Sequence, residues 1–444
     1  MTVPPTAPEG AAVCSRRMLN RADHRGNRNA WPVLAGQGVS LLGDYIAFLA
    51  VPLFVYDLTG TGTDLGMTMA FETLPTLLFG FAAGVALDRI SIRGALVTAD
   101  LVRAAAFGLL ALSVVAGAPQ VWIVFAVAFL VGSMGIVFEA GLQAWLPALF
   151  EDEELVLINS RLQVLRTVSW SVGPALAPFL IVTIGYGGTF LVDAATFIVS
   201  ALFVLVLVER RPRPPVEHEP WWPAFTTGIR YLWNERVLRA ATGAALVFNL
   251  TFIPLEALLV KFAAESLDIG GSGIGWFYAG HAILGAAGVV LAPRLIARFD
   301  LGRTFVFGLA GLGAGFFFLT MAAPGIAELD EVASVVVAIL PAGIAVGGVS
   351  VANVAFFTLR QTVPPEELRG RIIAASRTLS WAGIPVGAAV GGVLGDVLGV
   401  RAVYLAASSI LLLVSALVVL TPLWSYRSMP EVAPTNWLLP PDAD

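Results

Sequence analysis

Runs of about twenty or more apolar residues, each closed by charge or by Gly/Pro punctuation, recur along almost the whole chain. That is the length a helix needs to cross the hydrocarbon core of a bilayer. A soluble chain is usually near half apolar and a quarter charged. Here 57% of 444 residues are hydrophobic and 13% charged, too little polar surface for water to be the solvent on all sides. The runs predict twelve helices, numbered spans 1–12 in chain order, at 31–56, 64–87, 94–117, 120–147, 160–183, 187–208, 240–263, 273–297, 303–323, 332–358, 371–396 and 400–424. The fold class is an all-α integral membrane protein, twelve transmembrane helices in two six-helix bundles.

Cytoplasmic loops of membrane proteins are enriched in Arg and Lys. With the N-terminus inside, Arg93, Arg161, Arg166, Arg210, Arg211, Arg213, Arg294, Arg298, Arg303, Arg360, Arg369, Arg371, Arg377 and Arg427 all fall at inner ends. Only Lys261 and Arg401 fall outside, where the loops carry Asp57, Asp64, Glu265, Asp268, Glu328, Asp330 and Glu331. The expected layout is a cytoplasmic tail at 1–30, a six-helix bundle at 31–208, a cytoplasmic linker at 209–239, a second bundle at 240–424 and a cytoplasmic tail at 425–444. The linker opens on RRPRPP, which disfavours helix. Trp222, Phe225, Ile229 and Leu232 then recur at helical spacing, predicting an amphipathic helix on the inner membrane surface.

An internal repeat relates the halves. RTVSWSVGP (Arg166–Pro174) and RTLSWAGIP (Arg377–Pro385) share five of nine residues at an offset of 211. Glu153-Glu154-Leu155 pairs with Glu366-Glu367-Leu368 upstream, and Val199–Leu202 with Val414–Leu417 downstream. Span 5 therefore corresponds to span 11 and span 6 to span 12.

Other chemistries find little support. Cys14 is the one cysteine, and His24, His218 and His281 are scattered, so no metal-ligand spacing exists. A Walker A loop needs Gly-Lys. Lys261, the sole lysine, follows Val260, which argues against transport driven by the chain's own ATP hydrolysis.

Charges in mid-span are costly, about 2.5–3.5 kcal/mol on insertion scales, and mark functional candidates. Asp44 leads: it lies near the middle of span 1, with Gln37 and Ser40 on its face. Glu256 in span 7 shares a face with Asn249 and lies beside Pro254, expected to disturb the helix. Glu139 in span 4 has Gln143 one turn on, and Glu72 in span 2 has Thr68 and Thr76 one turn either way. Asp193 and His281, near expected outer ends, are read as solvated or structural. Phe48, Phe138, Phe248 and Trp276 could supply an apolar wall or face lipid.

The loop after span 2, GVALDRISIRG (Gly84–Gly94), resembles the signature G-x-x-x-D-R-x-G-R-R of the major facilitator superfamily. Gly84, Asp88 and Arg89 match, Ser91 and Ile92 depart, and Arg93 supplies the following charge. Asp100 and Arg103 in span 3 stand one turn apart, within pairing reach. Gly173-Pro174 in span 5, with Pro385 as the repeat partner, looks like a reduced antiporter motif that bends the helix. With LPALFEDEELVLINS, GIRYLWNERVLR and PPEELRGRI, these features resemble the drug:proton antiporter branch, the macrolide-efflux type above all. The resemblance implies the major facilitator fold, with parallel six-helix repeats about an axis along the membrane normal. It implies a latch formed by the Gly84–Arg93 loop with Asp100 and Arg103, and a cavity lined by spans 1, 4, 7 and 10, which adds Asn353.

The expected function is a secondary transporter, not an enzyme: proton-coupled efflux of amphipathic or cationic small molecules by alternating access. An uptake symporter of the same fold, or a transporter-like lipid flippase or sensor, are the alternatives. The expected partners are a small-molecule substrate, protons and the lipid bilayer, with no nucleic acid. No cofactor or metal is expected, the proton gradient being the energy source. The chain is expected to be a monomer in the cell membrane with both termini cytoplasmic.

Overall fold

A computed structural model describes residues 28–79, 90–209, 221–365 and 368–427. Among these, nine helical stretches are long and apolar enough to cross a bilayer. Two of them are pairs of spans running on through a single reversed residue. Asp152–Leu205 holds spans 5 and 6 and turns at Gly185, whose φ of 72° a glycine adopts without a Cβ clash. Gly271–Ile326 holds spans 8 and 9 and turns at Asp300, φ 67°. With ψ at 167° Asp300 lies in an extended, positive-φ region that glycine adopts readily and other residues only under strain. Span 2, Gly62–Phe79, completes the twelve. The chain is a multi-pass membrane protein of twelve helices in two bundles.

Two spans are interrupted. Span 7 runs Arg236–Ala257, breaks at Leu258 and resumes as Leu259–Ser266. Span 11 runs Arg369–Trp381 and then Gly383–Val397. Pro385 has no N–H for the Trp381 carbonyl, so the break falls where the missing hydrogen bond would be. Pro174 in the repeat-related position leaves span 5 helical, and the only non-helical residue inside that element is Gly185. Gly173 serves contact: a Cβ there would lie 2.5 Å from Tyr45 Cβ and 2.8 Å from its carbonyl carbon, so spans 1 and 5 approach backbone to backbone.

The linker helix, Trp221–Asn234, differs from expectation in what covers its apolar stripe. Phe225, Ile229 and Leu232 pack with Leu238, Ile372 and Ala375 at the start of spans 7 and 11. The stripe is taken up by protein, and Trp233 on another side stays 71% exposed.

The halves meet chiefly at the arginine-poor end, the expected outer side. Span 2 packs on span 11, and spans 5 and 8 pack together. A Cβ on Gly62 would lie 2.9 Å from the Gly392 carbonyl oxygen, and one on Gly66 would run into the Ala388 carbonyl. Gly275 sits against Pro178 of span 5. A polar cluster closes the rim. Asp396 accepts the Gly62 N–H at 2.6 Å, the Thr63 N–H at 2.7 Å and the Thr63 hydroxyl at 2.7 Å. Lys261 Nζ bridges Asp396 at 3.2 Å and the Gly60 carbonyl at 2.7 Å, and pairs with Glu265 at 3.3 Å. The Tyr56 hydroxyl reaches Glu265 at 3.4 Å.

Candidate functional site

Between the bundles lies a cavity of about 810 Å³. Its mouth is at the arginine-rich end, where the lining residues Glu139, Gln143 and Arg377 are exposed. Four carboxylates reach it from four helices: Asp44, Glu72, Glu139 and Glu256. The sequence periodicity finds them because a charge amid an apolar run has few other places to go. Gln37 and Ser40 line it with Asp44, and Gln143 with Glu139. The amide of Gln143 donates to Glu139 at 3.4 Å, and Arg166 Nη2 pairs with the same carboxylate at 3.1 Å.

Asp44 is tied to a buried charge cluster. Arg103, 5% exposed, also lines the cavity and stands 4.0 Å from Asp44. Its Nη2 donates to Asp100, which is wholly buried. The guanidinium is clamped between Phe197, 4.2 Å away, and Phe138, 4.8 Å away. Asp193, 1% exposed, approaches from span 6, where a Cβ on Gly43 would meet its Oδ1 and Thr196. The spacing of Asp100 and Arg103 was legible, but the pair sits beside Asp44 and not in a loop. Arg103 therefore stays compensated by Asp100 whichever charge Asp44 carries.

Arg93 lies apart from the cluster: its Nη2 donates to the Leu207 carbonyl at 2.5 Å, fastening span 3 to the end of span 6. Gly84, Asp88 and Arg89 lie outside the described residues. Asp193 and His281 are both buried, not solvated. The His281 ring packs against Phe277 at 5.0 Å and Tyr278 at 5.2 Å.

Asn249 and Asn353 are not brought to the main cavity. The Asn249 amide donates to the Ala245 carbonyl at 3.0 Å and the Ser380 carbonyl at 2.9 Å, joining spans 7 and 11. Asn353 lines a separate space of about 10 Å³ together with Phe248, room for little more than one water. Phe48 and Phe138 face the main cavity, whereas Trp276 is 68% exposed on the outside. The cavity also takes in Arg166, Tyr278, Phe357, Arg360, Arg377 and Trp381. The arginines among these read in sequence as loop charges, and only tertiary packing turns them inward.

The profile of the Major Facilitator Superfamily matches residues 33–387 and 257–436. The chain is 27% identical over 402 residues to the multidrug efflux pump Tap of Mycolicibacterium fortuitum, covering 86% of this chain and 92% of that one. It is 27% identical over 243 residues to macrolide efflux protein A of Streptococcus pyogenes, covering 54% and 58%. Among solved structures it resembles a bacterial homologue of the iron transporter ferroportin in an inward-facing state, with TM-score 0.66 and 19% identity, covering 90% of this chain and 99% of that one. That likeness concerns the fold. The profile spans both halves and the cavity between them, and the chain belongs to the Major Facilitator Superfamily.

Proposed function

We propose that the chain is a proton-coupled exporter of amphipathic, cationic small molecules, working by alternating access in the cell membrane with both termini cytoplasmic. One observation carries the reading: a cavity holding four acidic side chains opens at the arginine-rich end and is closed at the other. By the arginine rule the open end faces the cytoplasm. A cation entering there meets Asp44, Glu72 and Glu256, while Phe48, Phe138 and Tyr278 offer apolar contact. The names of the two efflux relatives support export over uptake.

The same carboxylates provide the coupling. A cation and a proton compete for Asp44, so substrate leaves on the outer side as a proton arrives, and the neutral carboxyl returns inward. Arg103 keeps its partner Asp100 through both steps. The membrane potential supplies about 2.3 kcal/mol per charge per 100 mV to any step that carries net charge.

The test uses everted vesicles with an acidic interior and a lipophilic cationic dye. The wild type accumulates dye as protons leave, and Asp44→Asn loses the gradient-dependent part. Undiminished gradient-driven accumulation in Asp44→Asn removes Asp44 from the mechanism. Accumulation that needs the opposite gradient replaces export with symport.

A further inference from the structure

The C-terminal wall of the cavity holds an arginine that no carboxylate among the described residues pairs with. Arg360 stands in the last turn of span 10, is 4% exposed, and lines the cavity. Its Nε and Nη1 are buried without a hydrogen-bond partner. The aromatic faces of Phe356 and Phe357 back its guanidinium at 4.5 and 4.8 Å. Arg377, which is exposed, lies over Trp381 at 4.1 Å and lines the same space. Across the cavity the arrangement is the reverse: Arg166 has its carboxylate, Glu139.

A cation in the last turn of a helix offsets the partial negative charge of the free carbonyls. That role predicts a side chain that snorkels to water at the membrane face. Arg360 instead turns into the protein, and two of its three nitrogens find no carbonyl there.

A planar guanidinium backed by aromatic faces is a receptor for a planar anion, which it can bind with two parallel hydrogen bonds. Glu256 lies toward the closed end of the cavity and Glu72 near the middle of span 2, whereas the two arginines lie in the arginine-rich halves of spans 10 and 11. We infer that Arg360, with Arg377, forms an anion subsite for the carboxylate of ampholytic substrates, whose basic nitrogen is held by the acidic end of the same cavity. The inference rests on the efflux reading and narrows its substrate class from simple cations to molecules that carry both charges.

The experiment uses a matched pair of probes: tetramethylrhodamine, with a free carboxylate, and its methyl ester, without one. Binding is read by fluorescence anisotropy on the purified full-length protein, and export separately in cells lacking their own exporters. The wild type is expected to bind both. Arg360→Gln is expected to weaken the acid by about tenfold or more and the ester by less than about twofold. Arg360→Lys, which keeps the charge but not the fork, falls between. Retained ester binding shows that the variant is folded. Equal losses for the two dyes point to a gate or a structural role and overturn the subsite, as do an unchanged acid and a wild type that does not bind the acid. A lipid phosphate held at Arg360 would leave the preference between the dyes unaltered, and overturns it too. Binding of the expected pattern without export counts against the efflux reading alone.

Discussion

Replacing Asp396 by alanine removes the acceptor that holds the closed end of the cavity together. The carboxylate takes two backbone N–H groups and a hydroxyl from the start of span 2 at 2.6–2.7 Å, and the Lys261 ammonium at 3.2 Å. A hydrogen bond to a charged group contributes about 1.5–3 kcal/mol when water is excluded. Asp396 keeps 28% of its side chain exposed at the rim, so water competes and the ion pair contributes little. Taking about 1 kcal/mol for each of the three hydrogen bonds from span 2 favours closure by about 3 kcal/mol, roughly a hundredfold in the closed-to-open ratio. The readout is solvent access from outside the cell. With Cys14, the only cysteine, changed to serine, a cysteine at Val51 reports on the cavity. A membrane-impermeant maleimide added to intact cells is expected to label Val51→Cys at least about tenfold faster once Asp396→Ala is present. A cysteine at Gln143, by the mouth, is expected to become less reactive from the other side. Unchanged labelling at both positions, in protein that still elutes as one species, would refute the seal.

Arg103→Ala leaves the wholly buried Asp100 without its cation, and thermal unfolding in detergent is expected to show a loss of about 3–5 kcal/mol. Replacing both residues by leucine should recover most of that loss. Gly66→Val puts a side chain into the Ala388 carbonyl, so it should hold the outer end open and reduce transport while leaving dye binding measurable from outside. Asn249→Ala removes hydrogen bonds between spans 7 and 11, so stability should fall by about 1–2 kcal/mol with substrate KM unchanged.

Asn249 shows why a helical face is an incomplete guide. It stands seven residues before Glu256, and regular periodicity puts both on one stripe. Glu256 reaches the cavity, but Asn249 is covered because span 11 comes close there: a Cβ on Gly387 would lie 2.8 Å from the Leu250 carbonyl oxygen and 3.2 Å from that of Asn249. Small residues decide such approaches, and which partner they admit is not written along one helix. The mid-span carboxylates were legible because a charge in an apolar run has a single economical destination. Arg360 and Arg377 were not, since an arginine near an inner helix end looks the same whether it faces water, lipid headgroups or a cavity. Lys261 stood out as the sole lysine and as one of two cations on the acidic outer side, but its partner Asp396 is 135 residues away. Asp100 and Arg103 are in contact, as their spacing allows, whereas the pair's nearness to Asp44 needed the packing of span 3 on its neighbours.

The glycines where spans 2 and 11 meet have a kinetic consequence. Gly62, Gly66 and Gly392 present bare backbone to one another, so at these points the two spans meet without interlocking side chains of their own beneath the rim. Two smooth surfaces can part without any rotamer having to change. The strength of the closed end then resides in the polar rim at Asp396 and Lys261, and the ease of sliding resides in the glycines beneath it. Selection can therefore tune how long the cavity stays shut by altering the rim, without roughening the path along which the halves separate.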